Sequence, residues 1–321
     1  MLLSKAIEGF IVAKLASGYS SNTLGMYRVY LKLLSSFIHD ADVNTITSAD
    51  LERFMAWVST EYKPHRVNGD TSPIKPATLA NTWSAIRSFW GWYDSEFHAG
   101  RPDLKLARPR AQVEVVEPFT EDEVRALVSA AEAFDIHPKT DRQKPYKTRR
   151  KTSDRDVPII LTLLDTGVRV GELCRLKVRD VDLANGEVTV VAYGSGQKTK
   201  PRHVYIGKAT RRALWRYLAQ REDIQPTDPL FLTVEDRPLT RSGISSLLKN
   251  LAGRAHVANV HPHRFRHTFA ITYLRNGGDV FTLQRILGHS TLDMVKRYLA
   301  LADADDAATH RRASPADRWR L

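Results

Sequence analysis

Apolar residues recur at three- and four-residue intervals along the first hundred positions, and that period predicts helices. Ile7, Phe10, Ile11 and Leu15 define a helix over residues 4–17, closed by Gly18. Leu24, Tyr27, Leu31, Leu34 and Ile38 define a second over 20–38. A third runs from Ala49 to Tyr62, and a fourth from Pro76, a favoured first helical position, to about Phe97. On the fourth, Leu79, Trp83, Ile86, Phe89, Trp90 and Tyr93 lie largely on one face, which suits a buried aromatic core better than nucleotide stacking. Two prolines and a glycine between Lys63 and Pro73 make that stretch a loop.

The pattern then breaks. Gly100, Pro102, Pro109 and Pro118 disfavour helix and read as an extended linker, so a domain boundary falls near residue 110. Beyond it, Thr120-Glu121-Asp122-Glu123 is a capping box that starts a helix. Val157–Asp165 is a buried helix or strand, and another helix begins at about Val170. Glu187–Ala192 and His203–Ile206, rich in Val, Tyr and Ile, read as strands, with Asn185-Gly186 as a turn before the first. Helices follow over 208–222, 240–256, 263–276, 279–287 and 291–300. The expected architecture is mainly α with a small β-sheet: a helical domain over 1–110, and an α+β domain over 111–321 that ends in a polar tail from about 303 to 321.

Composition changes the picture in one respect. The 321 residues carry 48 Lys and Arg against 36 Asp and Glu, a formal charge of +12, which suits a polyanionic partner. Both parts are basic: 13 basic and 10 acidic side chains in 1–110 give +3, and 35 and 26 in the remainder give +9. The stretch 138–155 alone has eight basic and two acidic residues, net +6, and reads as a solvated mobile loop, a grip on DNA phosphate, or both. The single cysteine, Cys174, excludes an intramolecular disulfide and reads as a small buried apolar residue. Lys5, Glu8 and Lys14 interrupt the apolar opening, and no stretch approaches a membrane span. A cytoplasmic protein with no membrane partner is expected.

Six positions over about 130 residues carry candidate chemistry: Arg169, Lys198, His263, Arg266, His289 and Tyr298. Each has an ordinary structural role available. Arg169, flanked by Val168 and Val170, needs either a carboxylate such as Glu172 or an incoming phosphate. Lys198 sits in a Gly-rich, basic connection between two strands, where a solvated turn is usual. His263 and Arg266 are three apart and share a helix face. His289 follows a helix stop at Gly288, and Tyr298 alone would be an amphipathic packing residue. His256, His261, His263 and His267 cluster in sequence, but no Cys or Glu completes a zinc set, so neither metal nor cofactor is expected.

Together the six are the groups needed to attack a phosphodiester with a hydroxyl. Two arginines can hold both nonbridging oxygens and stabilise a pentavalent transition state. A histidine can relay the proton of a tyrosine whose free pKa is about 10. A lysine can protonate the leaving 5′ oxygen.

At these residues the chain resembles the tyrosine recombinase family of phage integrases and Xer-type recombinases. The family order of Arg, Lys, His-x-x-Arg, Gly-His and Tyr is matched by TGVRVGEL, GSGQKTKPR, HRFRHTFA, LGHS and Tyr298. The resemblance implies that Tyr298 is the nucleophile of a 3′-phosphotyrosine intermediate and that Arg169 and Arg266 bind the scissile phosphate. It implies His263 as general acid/base, His289 as a phosphate hydrogen-bond donor, and Lys198 as the acid for the 5′ hydroxyl, with Lys200 an alternative in the same loop. Glu172 matches an acidic position that braces the site. The resemblance further implies a SAM-like core-binding first domain, a clamp around double-stranded DNA, a homotetramer on paired sites, possible accessory proteins, and a C-terminal segment that docks on a neighbour. The expected function is site-specific recombination for integration, excision or resolution. A type IB topoisomerase, or a catalytically silent DNA-binding protein of the same fold, stands as the alternative.

Overall fold

The computed structural model describes residues 1–64, 72–110, 116–136, 146–191 and 201–288, together with Leu292, Val295, Tyr298, Leu299 and Ser314. Two compact units divide between Glu114 and Val115.

In the first unit the described residues form four α-helices: α1 (Leu3–Ala16), α2 (Ser21–Phe37), α3 (Ser48–Thr60) and α4 (Pro76–Phe97). Their starts follow local chemistry. The Ser20 hydroxyl accepts from the Thr23 amide at 3.3 Å, and Thr47 and Asp50 form a reciprocal capping box. The Thr47 hydroxyl and amide, with Arg53, hold the Asp50 carboxyl down to about 2. The apolar faces meet in a core of Phe10, Leu31, Leu34, Leu51, Phe54, Phe89 and Trp90, all at most 1% exposed. Each such side chain contributes about 1.5–3 kcal/mol through burial. The α4 aromatics are core residues: Phe89 meets Trp90 edge-on at 4.8 Å and Phe10 at 5.6 Å. Asp103, fully buried, receives a two-nitrogen fork from Arg101 at 2.7 and 2.8 Å and a third contact from Arg87 at 3.1 Å. That cluster pins the chain leaving α4.

The second unit opens with α5 (Glu121–Glu132), started by the Thr120–Glu123 capping box. Strand β1 (Ala133–Ile136) pairs antiparallel with β2 (Tyr146–Arg149). This hairpin corrects the reading of 138–155 as wholly loop. Residues 146–149 are a strand, and 153–155 already belong to α6 (Ser153–Thr166); the stretch 137–145 lies outside the described residues. Then come the short α7 (Val170–Leu173) and a three-stranded antiparallel sheet of β3 (Val181–Asp182), β4 (Glu187–Val190) and β5 (Arg202–Tyr205), in that order. Among the described residues four helices follow: α8 (Lys208–Leu218), α9 (Arg241–Ala255), α10 (Pro262–Arg275) and α11 (Val280–Leu287); most of the expected helix over 291–300 lies outside the described residues.

Register fixes which β5 residues face inward. Val188 pairs with Val204, and Val190 with Arg202. Val188, Val190 and Val204 are buried, so Arg202 shares the inward face with Val204 by the two-residue alternation. The core behind the sheet collects Leu127, Ile159, Leu163, Leu214, Leu248 and Phe265. A smaller cluster joins Ala270 and Ile271 of α10, Leu283 and Leu287 of α11, Val295 and Tyr298. Cys174 is half-buried, and burial pushes its thiol above the ordinary value. Among the described residues no helix is long and apolar enough to cross a membrane.

Candidate active site

The site begins where α6 ends. Gly167 takes a left-handed conformation, φ +60°, and closes the helix. A Cβ there would stand 2.6 Å from Phe269 Cδ1 and 2.9 Å from Leu287 Cδ2, so both the angle and the space require glycine. Two residues on, Arg169 is the residue before α7. Its amide donates to Glu172 Oε2 at 2.8 Å and its Nη1 to Oε1 at 3.2 Å. The expected carboxylate partner of Arg169 is therefore Glu172, and 28% of the Arg169 side chain remains exposed.

Arg266 reaches the same place from α10. Its Nη1 donates to the Gly167 carbonyl and its Nη2 to the Leu287 carbonyl, both at 2.7 Å. These carbonyls close α6 and α11, groups that a helix leaves without internal donors, and they carry the negative end of the helix dipole. Burial, reinforced by Arg169, draws the Arg266 guanidinium down to about 10, so it stays charged near neutrality. His263 lies one turn earlier on α10, with its residue surface exposed. Partial desolvation first, then Arg266 and Arg169, lowers its pKa and favours the neutral imidazole. Tyr298 is 6% exposed, and its ring meets His267 edge-on at 5.4 Å. Arg266 responds electrostatically to Arg169, Glu172, Tyr298 and Arg202 alike, which places these side chains in one neighbourhood.

Four of the six expected residues, Arg169, His263, Arg266 and Tyr298, thus converge. Lys198, Lys200 and His289 lie outside the described residues. Among the described residues no group of three or more His, Cys, Asp or Glu could hold a metal ion. His261 instead caps α10, accepting from the Arg264 amide at 3.3 Å.

Two arginines of the quoted motifs have roles that the pattern did not reveal. Arg264 donates to Glu123 at 2.8 and 3.1 Å and to the Ala258 carbonyl at 2.7 Å, and lies 4.0 Å over the Phe119 ring. It ties α10 to the start of α5. Arg202 forks onto Glu172, Nη1 to Oε1 at 3.0 Å and Nη2 to Oε2 at 2.7 Å, while its Nε donates to the Ile286 carbonyl at 2.6 Å. Its in-phase position with Val204 on β5 was the available signal. Burial works to raise the Glu172 carboxyl, but Arg202 and Arg169 outweigh it and hold the group below its ordinary value.

The fold has solved counterparts. The Tn1549 transposon integrase in complex with transposon right end DNA superposes with a TM-score of 0.73 at 18% identity, covering 97% of this chain and 99% of that one. A lambda integrase dimer bound to a COC′ core site gives 0.67 at 17% identity, over 92% and 97%. At such identities the likeness shows the fold. The family follows from sequence: the profile described as Phage integrase family matches residues 117–305, and that of the Phage integrase N-terminal SAM-like domain matches 12–96. The chain belongs to the phage integrase family and is a tyrosine recombinase, an enzyme of site-specific DNA recombination. It is 28% identical over 319 residues to Tyrosine recombinase XerC of Staphylococcus carnosus (strain TM300), covering 98% of each chain. It is also 28% identical over 308 residues to Tyrosine recombinase XerC of Staphylococcus haemolyticus (strain JCSC1435), covering 94% of each.

Proposed function

We propose that this chain cuts and rejoins double-stranded DNA through a 3′-phosphotyrosine on Tyr298. One observation carries the reading. Arg169 and Arg266 converge beside Tyr298 and His263, with Glu172, itself shared with Arg202, as the carboxylate among them. A site with more guanidinium charge than carboxylate charge suits an incoming phosphate. In the reaction Tyr298 Oη attacks phosphorus and the 5′ oxygen leaves. Arg169 and Arg266 hold the nonbridging oxygens, on which negative charge grows in the pentavalent transition state. His263, neutral at pH 7, takes the tyrosine proton. His289 hydrogen-bonds the phosphate, and Lys198, or Lys200 in its place, protonates the leaving oxygen. Reversal with a new 5′ hydroxyl rejoins the strand.

The partner is DNA, as for the relatives solved on DNA. Residues 1–110 serve as the core-binding domain and 111–321 as the catalytic domain, four copies assemble on two sites with accessory proteins where the system needs them, and the protein works in the cytoplasm. The relatives are recombinases by name, so type IB topoisomerase activity and a silent binder are not favoured.

The test is a denaturing gel of wild type and Tyr298→Phe with a pool of nicked duplexes of randomised sequence, in EDTA. A protein–DNA adduct in wild type only is expected. An adduct in both moves the nucleophile elsewhere, and none in either removes the chemistry.

A further inference from the structure

Glu172 is fully buried and shared unequally. Arg202 takes both oxygens at 2.7 and 3.0 Å, whereas the Arg169 side chain holds one oxygen at 3.2 Å. Exposure runs the other way: 8% for the Arg202 side chain and 28% for Arg169. The third Arg202 contact, Nε to the Ile286 carbonyl at 2.6 Å, lies one residue before the carbonyl that Arg266 holds. A planar guanidinium can make these three bonds at once; a lysine ammonium cannot reproduce the fork.

We infer that Arg202 is a positioning residue that occupies Glu172 so that Arg169 keeps its guanidinium for the scissile phosphate. This rests on the role proposed above for Arg169. A buried carboxylate must be paired, and the nearest cation takes it. With Arg202 in place, Glu172 is satisfied by a fork, and Arg169 is steadied by one side-chain bond and by its own amide. Without Arg202, the full demand of Glu172 falls on Arg169. The two would then form a closed ion pair, and the phosphate would have to compete with a carboxylate at no distance penalty. The same loss leaves the Ile286 carbonyl, in the last turn of α11, without the Arg202 donor.

The consequence differs in sign from that of a plain structural contact. Removing Arg202 should slow strand cleavage, and removing the charge of Glu172 as well should give part of the rate back. The experiment measures single-turnover adduct formation and half-saturating protein concentration on the nicked duplex that wild type cleaves best. It compares wild type, Arg202→Gln, Glu172→Gln, Arg202→Gln/Glu172→Gln, Arg202→Lys and Tyr298→Phe, each first checked for folding by its melting transition. Arg202→Gln should lose on the order of a hundredfold in rate, the scale of a lost transition-state charge contact, with half-saturation within about threefold, because many other phosphate contacts carry binding. The double variant should cleave about tenfold faster than Arg202→Gln, and Arg202→Lys should fall between wild type and Arg202→Gln. A folded double variant no faster than Arg202→Gln overturns the inference, and so does Arg202→Gln at the wild-type rate. Should Arg202→Gln not fold, Arg202→Lys decides: a wild-type rate there overturns it. An adduct from Tyr298→Phe, or none from wild type, strikes instead at the recombinase chemistry on which the inference rests.

Discussion

Replacing Gly167 by alanine tests how tightly the end of α6 sets the site. Two costs add. At φ +60° an L-residue is strained by about 1–2 kcal/mol. The new methyl would stand 2.6 Å from Phe269 Cδ1 and 2.9 Å from Leu287 Cδ2, inside contact distance for both. Overpacking of this kind costs about 1–3 kcal/mol. The sum, about 2–5 kcal/mol, lowers the melting temperature of a unit this size by about 4–20 °C, at about 2–4 °C per kcal/mol. The neighbours that must move also matter for chemistry. Leu287 supplies a carbonyl to Arg266, and Gly167 supplies the other. A displacement approaching 1 Å there costs about a hundredfold in rate. Calorimetry on the full chain reads the first effect in the transition of the second unit. Adduct formation at 20 °C, where the variant is still folded, reads the second. Gly18→Ala isolates strain, since Gly18 has φ +77° with nothing within 4 Å of a built Cβ. Gly167→Ala melting within about 1 °C of wild type and cleaving within about twofold would refute the reasoning.

Arg169→Ala should cut the adduct rate on the order of a hundredfold while leaving the fold intact, since the side chain is partly exposed; single-turnover kinetics with a parallel melting curve check it. Asp103→Asn removes the fully buried carboxylate that pairs with the partly exposed Arg87 and Arg101, and should destabilise the first unit by about 1.5–3 kcal/mol in urea titrations. Partial desolvation lowers His261, His263 and His267 from the ordinary 6.5, so the unfolded chain binds protons first on acidification. The stability they contribute is present above pH 6.5 and is lost as pH falls through their depressed values. Melting temperature of the second unit should therefore fall between pH 7 and pH 5, and less steeply in His263→Gln. A flat profile contradicts the desolvation assigned to them.

The helices of the first unit were legible because apolar residues there keep one period and Pro76 marks the start of α4; the caps at Ser20 and Thr47 came from the structure. The same logic found Thr120 and the turn at Gly186, which has φ +76°. The hairpin of β1 and β2 was not legible. In β2 Lys147 and Arg149 are exposed and Thr148 only half-buried, so no alternation of apolar and polar residues marks the strand. Val157–Asp165 was ambiguous between helix and strand for the opposite reason: it is apolar almost throughout, and Pro158 sits inside the helix that forms.

The site divides in the same way. Arg264 and Arg266 are two residues apart in one motif, and composition treats them alike. Only packing separates them: one is committed to Glu123, the other to the carbonyls of Gly167 and Leu287. That second commitment explains why so basic a site needs so little carboxylate. A buried arginine must be compensated. A carboxylate would do this with a full charge that competes with the substrate phosphate for the same guanidinium. Helix-end carbonyls do it with partial charges fixed in direction, and they leave the cation's net charge in place. Arg266 is held this way by two helix-end carbonyls, Arg202 partly, through Ile286, while the Arg169 side chain bonds to Glu172. The site thus grades its arginines by compensation: the more completely one is anchored by the protein, the less of it is exposed, and the least anchored, Arg169, is the most accessible of the three. A phosphate entering such a site meets guanidinium charge already oriented by the protein's own backbone, with little reorganisation left for the moment of reaction.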